Sequence, residues 1–187
     1  MSQASNHVKW CISKANKEIE ECKNLGKRIK HRGLLKVEPN IDNAGKHIAK
    51  AEHNLNAISK FKEIDFSDWS IAAGFYSIYH CFLAIAAKFG YESRNQTCTI
   101  ALIEWLKEEG KINIDEKFIE TLKEAEIEEL QEGKEEDKVI EMREDYTYGI
   151  DISIEDEAKI QGLTDTSIEI IDVTKRIVFE QPPTKNH

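Results

Sequence analysis

The chain has 187 residues and a formal net charge of −9 at neutral pH, and one residue in three is charged. This length is sufficient for one domain with a real hydrophobic core, and the acidic net charge argues against broad, non-specific affinity for nucleic acid. Only 9 Gly and 3 Pro interrupt long stretches rich in Ala, Leu, Ile, Glu and Lys, so the composition predicts an all-α protein.

Positive and negative charges are distributed unevenly along the chain. Residues 1–64 carry 13 Lys and Arg against 7 Asp and Glu, a balance of +6, whereas residues 65–187 carry 13 against 28, a balance of −15. The first part contains a basic cluster, which consists of Lys23, Lys27, Arg28, Lys30, Arg32 and Lys36. Such a cluster attracts phosphate groups, although cations at a helix end also simply offset the helix dipole, and we take the second interpretation as the simpler one.

Two amphipathic helices are predicted for the first third of the chain. Apolar residues recur at steps of three and four, which predicts a first helix over 3–30, ended by Gly33. A connection over 34–40 leads to a second helix over 42–62, capped by Asp42.

An uncharged stretch of seventeen residues, 71–87, predicts a buried third helix that begins at Ser67 or Asp68 and stops at Gly90. The stretch is too short and too rich in polar side chains for a membrane span, so we expect a soluble protein with no membrane contact. Its middle carries four hydrogen-bonding side chains, Tyr76, Ser77, Tyr79 and His80. Because buried polar groups need partners, we expect function to lie near them.

Three further helices follow. The fourth starts near residues 95–97 and ends before Gly110, the fifth starts near Asp115, and the last covers 153–178. The fifth continues into the strongly acidic stretch 124–137, which is most simply a solvated face.

Short connections between long helices predict an up-and-down bundle of four to five core helices plus the N-terminal helix. We expect one domain over 1–180, with the N-terminal helix within 1–36, and a disordered tail over 181–187.

Four cysteines are present: Cys11, Cys22, Cys81 and Cys98. They form no CxxC pair and no spacing typical of zinc ligands, so we expect no metal and no other cofactor. Cys81 and Cys98 lie in apolar surroundings, where a small buried thiol is the ordinary interpretation. Reduced thiols and a polar first segment without a secretory signal indicate a cytoplasmic protein.

His80 is the first candidate for a functional side chain. It shares a helix face with Tyr76, four residues before it, whereas Tyr79 is directed toward a neighbouring helix or a partner subunit. His80 is either a core histidine bonded to a tyrosine or a backbone carbonyl, or a proton carrier that contacts a ligand.

Arg94 and Asn95 are the second candidate, because they precede a helix whose free amides favour anions. A salt bridge from Arg94 to Glu92 or to a neighbouring helix explains the arginine equally well. A third group, which combines a guanidinium with phenols in a non-helical turn, comprises Arg143, Tyr146 and Tyr148. It forms either a ligand surface or the packing of the last hairpin.

Several short motifs resemble those of the HEPN domain, the higher eukaryote and prokaryote nucleotide-binding family, in an archaeal and bacterial branch. These motifs are Asp68-Trp69-Ser70, Phe75-Tyr76-Ser77-Ile78-Tyr79-His80 and Gly90-Tyr91-Glu92-Ser93-Arg94-Asn95-Gln96. Residues 51–55, and residues 143–148 with the final helix, are similar to that branch as well. The resemblance covers roughly residues 41–178. It implies a four- to five-helix up-and-down bundle that is commonly a homodimer.

The same resemblance implies an activity, because many HEPN domains are metal-independent ribonucleases that act as toxins beside a nucleotidyltransferase antitoxin. Their signature is an arginine followed, after four to six residues, by a histidine. Arg94 matches the arginine and Asn95 the polar residue after it, but positions 99–101 hold Thr99, Ile100 and Ala101. The chain therefore departs from the family at the residue that carries the proton.

Three functions follow as hypotheses. The leading one is binding of nucleotide or RNA phosphate with a nucleotidyltransferase partner, in a pocket of Tyr76, Tyr79, His80, Arg94 and Asn95. The second is ribonuclease activity with Arg94 and His80 as catalytic residues. The third is a non-catalytic subunit that recruits a partner through its acidic fifth helix.

Overall fold

The computed structural model describes residues 2–127 and 157–180. These ranges form six α-helices and one two-stranded sheet: α1 (Gln3–Asn24), β1 (Leu34–Lys36), α2 (Ile41–Glu63), α3 (Asp68–Lys88), β2 (Tyr91–Ser93), α4 (Gln96–Glu108), α5 (Glu116–Ile127) and α6 (Glu157–Phe179). The all-α helical bundle expected from the sequence is confirmed. The side chains of the acidic stretch 124–137, the group at Arg143, Tyr146 and Tyr148, and the tail 181–187 lie outside the described residues.

Helix α3, which contains the uncharged stretch 71–87, is the centre of the bundle and packs against α2, α6, α4 and α5. Its buried hydroxyls are satisfied by carbonyls of α2, since Ser70 Oγ donates to Ile58 O at 2.8 Å and Ser77 Oγ donates to Ala51 O at 2.9 Å. Gly74 lets α6 approach closely, because a Cβ there would lie 2.3 Å from the Leu163 side chain. Much of the polar character of α3 is therefore structural.

Among the described helices, α3 is the one long and apolar enough to cross a membrane. However, 72% of its most apolar window is buried inside the bundle, as expected for the core helix of a soluble protein.

The prediction for residues 25–40 is wrong in two respects. α1 ends at Asn24, not at residue 30, and the chain leaves it through Gly26, whose φ of +61° is not helical. Residues 34–36 are a strand, not a plain connection, and pair antiparallel with β2 in the register Leu34 with Ser93 and Lys36 with Tyr91. Helical periodicity gave no signal for a three-residue strand whose partner lies far along the chain.

The cap of α2 also differs from the prediction. Asn40 caps the helix, not Asp42, because Asn40 Oδ1 accepts a hydrogen bond from the Asn43 amide at 2.8 Å. Asp42 lies in the first turn, where its charge favours the helix dipole.

Cys98 is not the buried thiol that the sequence predicts, because it forms a disulfide with Cys11. The bond joins α1 to the first turn of α4, and both residues are fully buried. The expectation of reduced thiols is thus wrong for this pair. Cys22 and Cys81 are free, and burial raises the pKa of the Cys81 thiol to about 12.

Candidate functional site

A chain of hydroxyl groups connects α3 to the start of α4. Tyr79 Oη lies 3.3 Å from Thr99 Oγ1, and Thr99 Oγ1 lies 2.7 Å from Ser93 Oγ and 2.8 Å from Asn95 O. Burial raises the pKa of Tyr79, so its phenol stays neutral at physiological pH. Thr99, the first of the three positions compared above with the histidine of the HEPN signature, is buried in this network. Its hydroxyl cannot replace an imidazole as a proton carrier near neutral pH.

Asn95 serves as the N-cap of α4. Its Oδ1 accepts a hydrogen bond from the Cys98 amide at 2.8 Å, which satisfies one of the free donors of the first turn. The side-chain oxygen of Asn95 therefore stabilises the first turn of α4, which directly follows Arg94.

Arg94 lies on the surface immediately before α4. Its backbone N–H donates to Gly33 O at 3.2 Å, and its Nε lies 2.9 Å from Glu92 Oε1. The side chains of Arg94 and Glu92 are 56% and 44% exposed, and an ion pair of such exposure contributes little to stability. The salt bridge considered as the alternative interpretation of Arg94 is confirmed.

His31 lies beneath this ion pair. Its side chain is only 3% exposed, and its Nε2 is 3.5 Å from the same Glu92 oxygen that contacts Arg94. Within residues 2–127 and 157–180, neither ring nitrogen of His31 has a hydrogen-bond partner. The sequence gave no signal for this residue, because a histidine between two cations in a short connection looks exposed.

One end of the basic cluster, at Arg32, lies next to Arg94. We call residues 25–32, between α1 and β1, the basic loop. The side chains of Lys23, Lys27, Arg28, Lys30, Arg32 and Lys36 are all exposed. None of these cations forms an ion pair with a carboxylate in the described ranges. Since β1 pairs with β2 and Gly33 O accepts from the Arg94 amide, this loop ends beside Arg94.

We refer to Glu92, Arg94, His31 and the basic loop together as the arginine region. Two observations place its backbone: the β1–β2 ladder and the close approach of Gly33 to α1, where a Cβ would lie 2.4 Å from Cys11 O. Any larger residue at position 33 would clash with α1 and displace the backbone that leads from the basic loop into β1.

A pair of facing histidines joins α2 to α3. His47 Nδ1 and His80 Nδ1 are 3.0 Å apart, and the two ring centroids are 5.3 Å apart. The centroid distance equals the nitrogen–nitrogen distance plus the two radii from ring centre to nitrogen, so the nitrogens face each other directly. This is the geometry of an N–H···N hydrogen bond. The partner of His80 is therefore neither a tyrosine nor a backbone carbonyl, as the sequence suggested, but a second histidine.

Both imidazoles of the pair are uncharged at neutral pH. Burial, followed by the charges of His47 and Lys50, lowers the pKa of His80 to about 4, and burial also lowers the pKa of His47. A neutral pair shares one proton between its Nδ1 atoms. One ring then carries its free lone pair at Nε2, and the other carries a proton there. His47 was missed because it lies beside the apolar stripe of α2 rather than within it.

The residues predicted to form one pocket lie in two regions. Tyr76, 48% exposed, is on the same face of α3 as His80, and we refer to His47, His80 and Tyr76 as the histidine region. Tyr79 lies between the two regions: its ring centroid is 6.5 Å from that of His80, and its hydroxyl contacts Thr99, which bonds to Ser93 and Asn95 on either side of Arg94. In the described part of the chain, no hydrogen bond or ion pair joins His80 to Arg94.

The described residues contain no group of three or more His, Cys, Asp and Glu side chains that could hold a metal ion. A groove of about 930 Å³ lies between the end of α3, the loop before α5, and α6, and its lining includes none of the predicted site residues.

No protein-family model matches the chain. A search of curated proteins finds no match either. The HEPN resemblance accordingly depends on the short motifs alone, and the function has to be argued from the geometry of the two regions.

Proposed function

We propose that the protein is a HEPN-type helical domain that binds the phosphate groups of RNA or of a nucleotide at the arginine region. One observation carries the proposal. The pairing of β1 with β2, together with the bond from the Arg94 amide to Gly33 O, brings the end of the basic loop beside Arg94, and the cations of this loop are exposed and lack described ion-pair partners.

Chemical arguments support phosphate as the ligand. A guanidinium offers a planar set of donors that suits phosphate, and lysine adds charge without demanding one geometry. The first turn of α4, directly after Arg94, adds the positive end of a helix dipole. The chain as a whole is acidic, so attraction of a polyanion is concentrated on this surface.

The biological setting of the proposal comes from the resemblance only. It consists of a toxin–antitoxin or defence-like module, a nucleotidyltransferase antitoxin as partner, and a homodimeric assembly.

Binding is tested by titrating a labelled single-stranded RNA and following fluorescence anisotropy. Arg94→Ala and Arg28→Glu should each weaken the affinity by about tenfold, because each removes a phosphate contact. Lys46→Glu on α2 changes the net charge as much as Arg28→Glu does and is the matched control, since Lys46 is equally exposed but lies outside the arginine region. Equal affinities for Arg28→Glu and Lys46→Glu would contradict the proposal.

The second candidate function is a metal-independent ribonuclease, and the His47–His80 pair is the observation that favours it. The pair offers an acceptor and a donor at its two Nε2 atoms, which are the base and acid that attack by an RNA 2′-hydroxyl requires. Two observations argue against this candidate. The positions of the signature histidine hold Thr99, Ile100 and Ala101. Among the described contacts, none joins His80 to Arg94. Cleavage of bulk RNA that is lost in His80→Ala would favour this candidate over simple binding.

A further inference from the structure

We propose that Glu92 is an internal competitor of the phosphate ligand: its carboxylate holds Arg94 in the free protein and moves to His31 when an anion binds. The proposal rests on phosphate binding at the arginine region and adds a means of regulating it.

One oxygen of the Glu92 carboxylate lies between two nitrogen atoms, one from Arg94 and one from His31. Glu92 Oε1 is 2.9 Å from Arg94 Nε on the exposed side and 3.5 Å from His31 Nε2 on the buried side. The first distance is that of a formed, charge-assisted hydrogen bond, whereas the second is too long for one. The carboxylate is thus bonded to Arg94 and only close to His31.

His31 is suited to receive this carboxylate. Buried polar atoms in folded proteins nearly always have hydrogen-bond partners, but both ring nitrogens of His31 lack one in the described ranges. A shift of the carboxylate by less than about 1 Å would bring Glu92 Oε1 within hydrogen-bond distance of His31 Nε2. The buried histidine therefore offers the carboxylate a second partner close by, which it can take up when an anion draws Arg94 away.

Arg94 is suited to exchange its partner. The Glu92–Arg94 pair is about half exposed, so water screens it and a stronger anion can displace it. Each RNA phosphodiester carries one negative charge, as a carboxylate does, but an RNA strand brings several of them to the basic loop at once, and one phosphate can engage the guanidinium through two parallel hydrogen bonds. While Glu92 holds Nε, its charge also repels any approaching anion. The Glu92–Arg94 contact therefore prevents weakly binding anions from reaching Arg94, whereas the phosphates of RNA displace Glu92.

The first test uses the full chain, a labelled single-stranded RNA and three variants. Glu92→Gln keeps the shape of the side chain but removes its charge, and should bind RNA about three- to tenfold more tightly than the parent chain. Glu38→Gln changes the net charge equally in the connection after β1, where Glu38 is exposed and has no ion-pair partner within residues 2–127 and 157–180, and it should leave the affinity unchanged. Adding Arg94→Ala to Glu92→Gln should abolish the gain.

The role of His31 is tested by rescue. His31→Leu should weaken RNA binding, since the displaced carboxylate has no partner, and His31→Gln should keep much of the affinity because it retains a donor. Combining His31→Leu with Glu92→Gln should restore tight binding, which loss of a merely structural residue would not do. If His31→Leu does not fold, as judged by circular dichroism, the comparison of Glu92→Gln with Glu38→Gln still decides the proposal.

The outcomes separate this inference from the function on which it rests. Unchanged or weaker binding by Glu92→Gln, with Arg28→Glu and Arg94→Ala still impaired, would overturn the competitor role and leave phosphate binding intact. Full affinity in Arg28→Glu and Arg94→Ala would overturn both.

Discussion

The arginine region and the histidine region place basic side chains under opposite electrostatic conditions. In the arginine region, Arg94 and the cations of the basic loop are exposed to water. In the histidine region, His47 and His80 are partly buried between two long helices, and burial keeps them neutral. Exposed charge suits reversible recognition of an anion, whereas a neutral buried pair couples the packing of α2 on α3 to the proton concentration. Variants of one region should therefore change binding, and variants of the other should change stability.

The largest effect is expected from breaking the histidine pair. His80→Leu leaves His47 Nδ1 without its hydrogen bond and should lower the free energy of unfolding by about 1–3 kcal/mol. His47→Leu combined with His80→Leu should cost less than the sum of the single changes, because no unpaired nitrogen is left. Urea denaturation of the four proteins measures the coupling, and strict additivity would show that the bond contributes nothing.

Salt should affect the arginine region next most strongly. If about three phosphates are contacted, raising the salt concentration from about 50 to about 200 mM should weaken binding of single-stranded RNA roughly 15-fold. Arg28→Glu should make the slope of log affinity against log salt less steep by about 0.7, the contribution of one phosphate contact on a single strand. His80→Leu should leave that slope unchanged. A slope of zero for the parent chain would exclude a phosphate-binding surface.

Acid should act on the histidine region. Because the pKa of His80 is about 4 in the folded protein and ordinary in the unfolded chain, the unfolded chain binds more protons between these two values. Stability is then complete above about pH 6.5 and is lost as the pH falls toward 4. The loss should be on the order of 1 kcal/mol, since solvent reaches the pair and screens the charge. In the double variant His47→Leu/His80→Leu, the melting temperature should depend less on pH across this range than it does in the parent chain.

The smallest effect is expected for the stability of the arginine region. Glu92→Gln removes an exposed ion pair and should change the free energy of unfolding by less than about 0.5 kcal/mol. The same variant changes RNA affinity if Glu92 competes for Arg94, so melting and binding measured on one preparation distinguish the two roles. A large loss of stability would mean that the pair is structural.

Local pattern predicted the helices well and the contacts between distant residues poorly. The uncharged stretch correctly predicted the central helix α3. The recurrence of apolar residues at steps of three and four located α2 and α4, because burial repeats with the helical period. The local pattern did not predict two long-range contacts, the pairing of β1 with β2 and the bond between Cys11 and Cys98, because each joins residues far apart in sequence.

The candidate site shows the same limit. Arg94 was identified with its partner Glu92, because the two are only two residues apart. His80 was identified without its partner His47, which is 33 residues away on another helix. His31 was not identified at all, since its burial depends on how α1, β1 and β2 assemble rather than on its neighbours in the chain.

The disulfide between Cys11 and Cys98 gives the chain a mechanical property. It closes a loop with a sequence separation of 87 residues, which contains β1, α2, α3 and β2. When the oxidised chain is stretched from its two ends, this loop cannot open, so its fully extended length is shorter by roughly 300 Å than that of the reduced chain. In an optical trap, helices α5 and α6 would lengthen under load, whereas the segment that carries both polar regions would bear no tension until the sulfur–sulfur bond is cut.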